Sequence, residues 1–147
     1  MFPDLKDVEI TNACGGLNVL ADSLLRQMFF NLIHNSLKHG QKTSKIKLHC
    51  EEAGSDELKL YYEDDGVGIP EKIKANLFKE GFTTGNGSGY GLYLIKNIME
   101  VYGWKIRETG TTEKGAQFTI TIPRINQNGK QNYEHTQPSA SKLTEPK

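Results

Sequence analysis

The sequence predicts an α+β fold: an open, mixed, mainly antiparallel sheet with helices on one face, in two layers. Two observations carry this expectation. Alternating and amphipathic segments follow one another in the order strands, helix, strands, helix, helix, strands. The chain is 147 residues long and 36 % apolar, which suits one domain with one core.

Taken in order, residues 8–11 and 17–20 are short apolar runs around Gly15-Gly16, and a hairpin is expected there. Asp22 or Ser23 can cap a helix that runs to about His39 and stops at Gly40. At the helical period, Leu24, Leu25, Met28, Phe29, Leu32, Ile33 and Leu37 form one broad apolar arc. Residues 45–51 alternate, with Ile46, Leu48 and Cys50 on one face, and 58–63 form a second strand after the turn at Gly54-Ser55-Asp56. Pro70 opens a short helix to about Phe78. Residues 79–88 hold Gly81, Gly85 and Gly87 and read as a mobile loop. A helix from about Gly89 to Tyr102 puts Leu92, Ile95, Met99 and Tyr102 on one face. Residues 104–108 and 117–122 are closing strands around a turn at 110–115, and Pro123 ends the last one. The domain is therefore expected over residues 1–123. Residues 124–147 have little to bury and are expected to be a disordered polar tail.

Composition excludes several functions. Lys+Arg and Asp+Glu are equal at 18 each, so there is no global basic field for nucleic acid. No apolar stretch is long enough to span a bilayer, and no secretory pattern follows Met1. Cys14 and Cys50 are too few for a disulfide framework or a thiolate zinc site, and two reduced thiols in a cytoplasmic protein are expected.

Three features carry chemistry. Asn31 and Asn35 fall at the edge of the apolar arc of the first helix, with Lys38 beside them. Such amides must find partners, either in neighbouring backbone or in a ligand, and an amide oxygen suits Mg²⁺. His34 lies nearer the outward face and has no second metal ligand at suitable spacing. Asp64 ends a strand and leads into Gly66 and Gly68. It is either part of a plain turn or an acceptor for an exocyclic amine such as adenine N6, with glycines that let backbone approach the ring. Asp65 should point the other way. Gly85, Gly87, Gly89 and Gly91 precede or open a helix. They form either a flexible linker or a cradle that brings phosphates to the helix N-terminus. The loop matches neither the P-loop nor the dinucleotide fingerprint. Together and in this order, the three features point to ATP.

At these residues the chain resembles the sensor histidine kinases. Asn31-Leu-Ile-His-Asn35-Ser-Leu-Lys38-His39-Gly40 is similar to their N box. Asp64-Asp-Gly66-Val-Gly68-Ile69-Pro70 is similar to the first glycine box, and Leu77-Phe78-Lys-Glu-Gly-Phe82 to the F box. Gly87-Ser88-Gly89-Tyr90-Gly91-Leu92 resembles the second glycine box, with Tyr90 where Leu is usual. Residues 115–123 resemble the closing strand, and the likeness covers roughly residues 8–123.

The resemblance implies a Bergerat-type α/β sandwich that binds Mg-ATP. It implies that Asn35 ligates Mg²⁺, that Asn31 and Lys38 lie near the phosphates, and that His39 lies near ribose and phosphates. It assigns adenine N6 to Asp64 and close approach of the base to Gly66, Gly68 and Ile69. Phe78 and Phe82 would anchor the lid; Gly87, Ser88, Gly89, Tyr90, Gly91 and Leu92 would wrap the phosphates, and Thr119 would complete the nucleotide site. Hydrolases and serine kinases of the same superfamily typically carry Glu four residues before the metal asparagine. Here that position is Asn31, which cannot accept a proton. The expected activity is transfer of the ATP γ-phosphoryl group to a histidine in two-component signal transduction, the alternatives being a superfamily ATPase, a serine kinase or a non-catalytic interaction module. No phosphoacceptor motif surrounds His34, His39, His49 or His135. The expected partner is therefore a separate histidine-containing dimerisation and acceptor domain, with a response regulator indirectly. The expected location is the cytoplasm, or the cytoplasmic part of a larger, membrane-linked sensor.

Overall fold

The computed structural model describes residues 7–83 and 89–124. Its strands are β1 (Glu9–Asn12), β2 (Lys45–Ala53), β3 (Glu57–Asp64), β4 (Lys105–Glu108) and β5 (Gln117–Pro123). Its helices are α1 (Ser23–His39), α2 (Glu71–Lys74) and α3 (Gly91–Tyr102). One sheet runs β1-β2-β3-β5-β4. β1 is parallel to β2, and every other pair is antiparallel. This is the α+β sandwich that the sequence predicts.

Alternation along the strands builds the core. Ile46, Leu60, Tyr62, Phe118, Ile120 and Ile122 are buried on one face of the sheet. Met28 and Leu32 of α1 and Ile95, Ile98, Met99 and Tyr102 of α3 pack with them in one cluster. Full burial of a side chain such as Leu32 contributes roughly 1.5–3 kcal/mol.

The ends of the helices are tied together. Asp22 Oδ1 accepts from the Leu24 N–H at 3.0 Å, the N-cap bond of α1. The Tyr102 hydroxyl, at the far end of α3, donates to the same oxygen at 2.5 Å. The Tyr102 bond first, and the Leu24 N–H next, hold the Asp22 carboxyl below its ordinary pKa. α1 ends at Gly40, whose N–H donates to Ser36 at 3.0 Å. α3 ends at Gly103, which takes the left-handed φ of +68°.

Several local expectations are corrected. Residues 17–20 form no strand, and there is no hairpin with 8–11. Instead β1 pairs with β2, across α1, in the register Asn12↔Leu48. That register continues through the Ala13 N–H bond to the Leu48 carbonyl and brings Cys14 to Cys50. The two cysteines are joined in a disulfide with their Cα atoms 5.4 Å apart, so they are not reduced thiols. The helix after Pro70 is one turn of α-helix, and tighter bonds (Asn76 N–H to Ile73, Leu77 N–H to Lys74) continue it. α3 starts at Gly91, because Gly89 has a φ of +70°. Residues 84–88, within the expected mobile loop, and 125–147, nearly all of the expected tail, lie outside the described residues.

Candidate functional site

A cavity of about 1080 Å³ opens between α1, the start of α3, the turn after β3 and the region of α2. From α1 it receives Asn31, Asn35, Lys38 and His39, which the helical period stacks on one face. Asn31 and Asn35 are half-buried. The Asn31 Oδ1 accepts from Gln27 Nε2 at 3.3 Å, while its Nδ2 is buried with no partner among the described residues. A buried donor in a cavity wall is one that a polar ligand can satisfy. Burial first, with Lys38 and His34 close by, holds the pKa of His39 below its ordinary value.

The start of α3 faces Asn35. A Cβ on Gly91 would lie 3.7 Å from Asn35 Oδ1, so the first turn of α3 meets Asn35 across the cavity. Gly91 and Leu92 line the cavity. Among the described residues no side chain caps α3, and its first internal bond runs from the Leu94 N–H to the Tyr90 carbonyl at 2.8 Å. The N–H groups of the first turn and the positive dipole end thus adjoin the Asn35 amide, in a cavity that Asn31 and Lys38 also line. That set of donors suits an anion accompanied by a hard cation, and Asn35 is the residue whose amide oxygen would hold Mg²⁺ with phosphate oxygens.

Asp64 lines the same cavity from the end of β3. It is buried, at 8 % exposure. Its Oδ1 accepts the N–H groups of Gly66 and Ala116, each at 3.0 Å. Its Oδ2 accepts the Ser36 hydroxyl at 2.6 Å. Ser36 spends its only proton there, so the Tyr62 hydroxyl, 2.8 Å away, donates to Ser36. Burial lifts the Tyr62 phenol far above its ordinary pKa, which keeps it a donor. Three fixed donors hold the carboxylate, and its acceptor capacity leaves room for one more, such as an exocyclic amine. Asp65 points the other way, as the pleat requires, and takes the Ser44 and Lys45 N–H groups at 2.7 and 2.9 Å.

Gly66 does not line the cavity. A Cβ there would lie 2.7 Å from both Gly40 Cα and Thr43 Oγ1, so this glycine lets two backbones pack. Gly68 lines the cavity with a φ of +75°, beside Ile69. Phe82, Gly89 and Tyr90 line it from the loop, and Gly89 packs on the backbone of Gly81 and Phe82. Phe78 lies behind the wall, edge-on to Phe118 at 6.3 Å. Gly87 and Ser88 fall outside the described residues. Thr119 is displaced from the site: Phe118 and Ile120 face the core, so the pleat turns Thr119 to the opposite face, where its hydroxyl meets Thr109 at 2.6 Å.

Ser36 escaped the sequence reading, although a signal existed. It continues the Met28–Leu32 stripe at a four-residue interval, and a hydroxyl on a core stripe needs a partner. Ala116, which donates to Asp64 from 52 residues away, left no such signal.

Residues 21–126 match the family of histidine kinase-, DNA gyrase B- and HSP90-like ATPases. The chain is 33 % identical over 113 residues to the sensor histidine kinase AruS of Pseudomonas aeruginosa, covering 69 % of this chain and 11 % of that protein. Thus the chain spans about a tenth of the length of that relative. Among solved structures, the catalytic domain of the histidine kinase ThkA superposes with a TM-score of 0.66 at 28 % identity, over 80 % of this chain and 79 % of that one. Full-length ShkA in complex with AMPPNP shares the fold, with a TM-score of 0.68 at 24 % identity over 79 % of this chain and 25 % of that one.

Proposed function

The chain belongs to the histidine kinase-, DNA gyrase B- and HSP90-like ATPases, and we propose that it is the Mg-ATP-binding catalytic domain of a two-component sensor histidine kinase. One observation carries the proposal: a donor-held buried carboxylate, an asparagine facing a helix N-terminus and a second asparagine one turn before it share one cavity. Asp64 takes adenine N6, and the α3 N-terminus with Lys38 takes the phosphates. Mg²⁺, when bound through Asn35, supplies neutralisation of phosphate charge.

The reaction is attack by an acceptor histidine nitrogen on the γ-phosphorus. The new P–N bond forms as the bond to the β,γ-bridging oxygen breaks, and ADP leaves. The acceptor histidine belongs to a separate domain, and a response regulator takes the phosphoryl group from it afterwards. The residues of this chain position and neutralise. Lys38 and the first-turn N–H groups stabilise charge on the phosphates, and Asn31 donates without taking a proton. With no base at Asn31, water is a poor substrate.

Among the described residues no helix is long and apolar enough to cross a membrane. The need for ATP places the domain in the cytoplasm, alone or as part of a larger sensor. The test is calorimetric titration of the chain with ATP, with and without Mg²⁺. The parent should bind more tightly with Mg²⁺, and Asn35→Ala should lose that gain. A Mg²⁺ effect undiminished in the variant would make Asn35 a structural amide, and no ATP binding by the parent would overturn the reading.

A further inference from the structure

Lys74 and Glu108 line no part of the cavity, yet both are removed from solvent, with side chains 13 % and 2 % exposed. The Lys74 ammonium meets Glu108 Oε2 at 3.1 Å, Glu71 Oε2 at 2.9 Å and the Gly110 carbonyl at 2.7 Å. Of these, the Gly110 carbonyl accepts a hydrogen bond, the two glutamates pair with the ammonium by charge, and Glu108 Oε2 has no hydrogen-bond partner among the described residues. Glu108 is held at its other oxygen too, where Oε1 accepts the N–H groups of Gly110 and Gln117. Its two acidic neighbours hold the Lys74 pKa above the ordinary value, Glu71 contributing most. The pair is partly withdrawn from water, Glu108 more than Lys74, and an ion pair of this kind is weak evidence of stability for its own sake.

Its position suggests what it does. Lys74 ends α2, whose neighbours Ile73 and Leu77 wall the cavity and whose chain continues to Phe82, which also lines it. Glu108 and Gly110 begin the β4–β5 turn. That turn donates from Glu113 N–H to the Val67 carbonyl at 3.1 Å and from Thr112 Oγ1 to the Ile69 carbonyl at 3.1 Å. It ends at Ala116, whose N–H holds Asp64. One ammonium therefore bolts the wall of the cavity to the turn that fixes its base-reading end.

We propose that Lys74 and Glu108 are positioning residues for the purine base: they lock α2 to the β4–β5 turn, and so set the spacing between the Ile73–Leu77 wall and Asp64. This rests on the cavity being the ATP site. The pair acts on the base and not on the phosphates, which Asn35, Lys38 and the α3 N-terminus receive elsewhere in the cavity. Loosening it should weaken ATP binding and, more tellingly, reduce discrimination against GTP, whose guanine presents an acceptor where adenine has its amine.

The test uses the full chain. Lys74→Met leaves the Glu108 charge buried and alone, so Lys74→Met/Glu108→Gln is made beside it to remove that charge. In the double variant, ATP affinity should fall roughly tenfold and the ATP-to-GTP affinity ratio should fall several-fold, while the single variant Lys74→Arg, which keeps the charge, should retain most of both. With an acceptor domain supplied, KM for ATP should rise and kcat at saturation should stay within about twofold. Equal losses for ATP and GTP would make the pair merely structural and overturn the proposal, as would parent-like values in the double variant. Amide exchange in the parent gives a reading that needs no variant. Residues 71–78 and 109–116 should gain protection together on ATP binding, and a gain in one segment alone would contradict the lock. If the parent itself fails to bind ATP, the functional reading falls first and this inference with it.

Discussion

The Ser36 hydroxyl donates to Asp64 Oδ2 at 2.6 Å and accepts from Tyr62, which joins α1 to the end of β3 through three buried polar side chains. Ser36→Ala should therefore cost about 1–3 kcal/mol of stability, since it strands the Tyr62 donor and one Asp64 lone pair. It should also weaken ATP binding, because Asp64 loses the bond that orients it. Chemical denaturation and calorimetry read the two effects. An unchanged midpoint would mean that water replaces the hydroxyl.

Two glycines should separate packing from ligand approach. At Gly66 a Cβ would lie 2.7 Å from Gly40 Cα, so Gly66→Ala should destabilise the fold by about 1–3 kcal/mol. At Gly91 the nearest atom is 3.7 Å away, so Gly91→Ala should leave stability unchanged or slightly raised. It should still weaken ATP binding, by crowding the phosphates at the start of α3. Thermal melts compared with titrations test this, and an intact ATP affinity in Gly91→Ala would remove Gly91 from the phosphate site.

The Cys14–Cys50 bond closes a loop across 36 residues that includes α1. Chain entropy gives a loop of that length roughly 3–4 kcal/mol of stabilisation. Denaturation with and without a thiol reductant should show a loss of that order, absent in a Cys14→Ser/Cys50→Ser variant. Two titratable thiols per unreduced, folded chain would contradict the bond.

His39 predicts a pH dependence of defined sign. Its pKa is lowered in the fold, by burial first, so folding favours the neutral ring. Stability is then full above the ordinary imidazole value of about 6.5 and declines as pH falls below it. ATP binding should show the opposite slope, because phosphate favours the protonated ring. His39→Gln should flatten both, as urea melts and titrations between neutral pH and pH 5 would reveal. A slope unchanged in the variant would assign it to another group.

What the sequence discloses follows the range of the interactions. α1 was legible because Asp22, Gly40 and the apolar period are local signals, and β2 and β3 because their alternation lies on either side of one turn. β1 reads as half of a hairpin because its partner lies beyond α1, where alternation gives no register. The disulfide followed from that same parallel pairing and was hidden with it. In the site, Asn31, Asn35, Lys38 and Asp64 could be named because each is a polar residue where an apolar pattern breaks. Lys74 and Glu108 could not, since a lysine ending a short helix and a glutamate in a strand look fully solvated until the fold brings them together.

The central claim is that this cavity delivers the γ-phosphoryl group of ATP to a histidine and not to water. The direct measurement is incubation of the chain with γ-labelled ATP, with and without a supplied histidine-containing acceptor domain. The account predicts acid-labile label on the acceptor, lost when Asn35 is replaced by Ala, and very slow phosphate release without the acceptor. Rapid release by the chain alone would contradict it and would mean that a group other than Asn31 activates water.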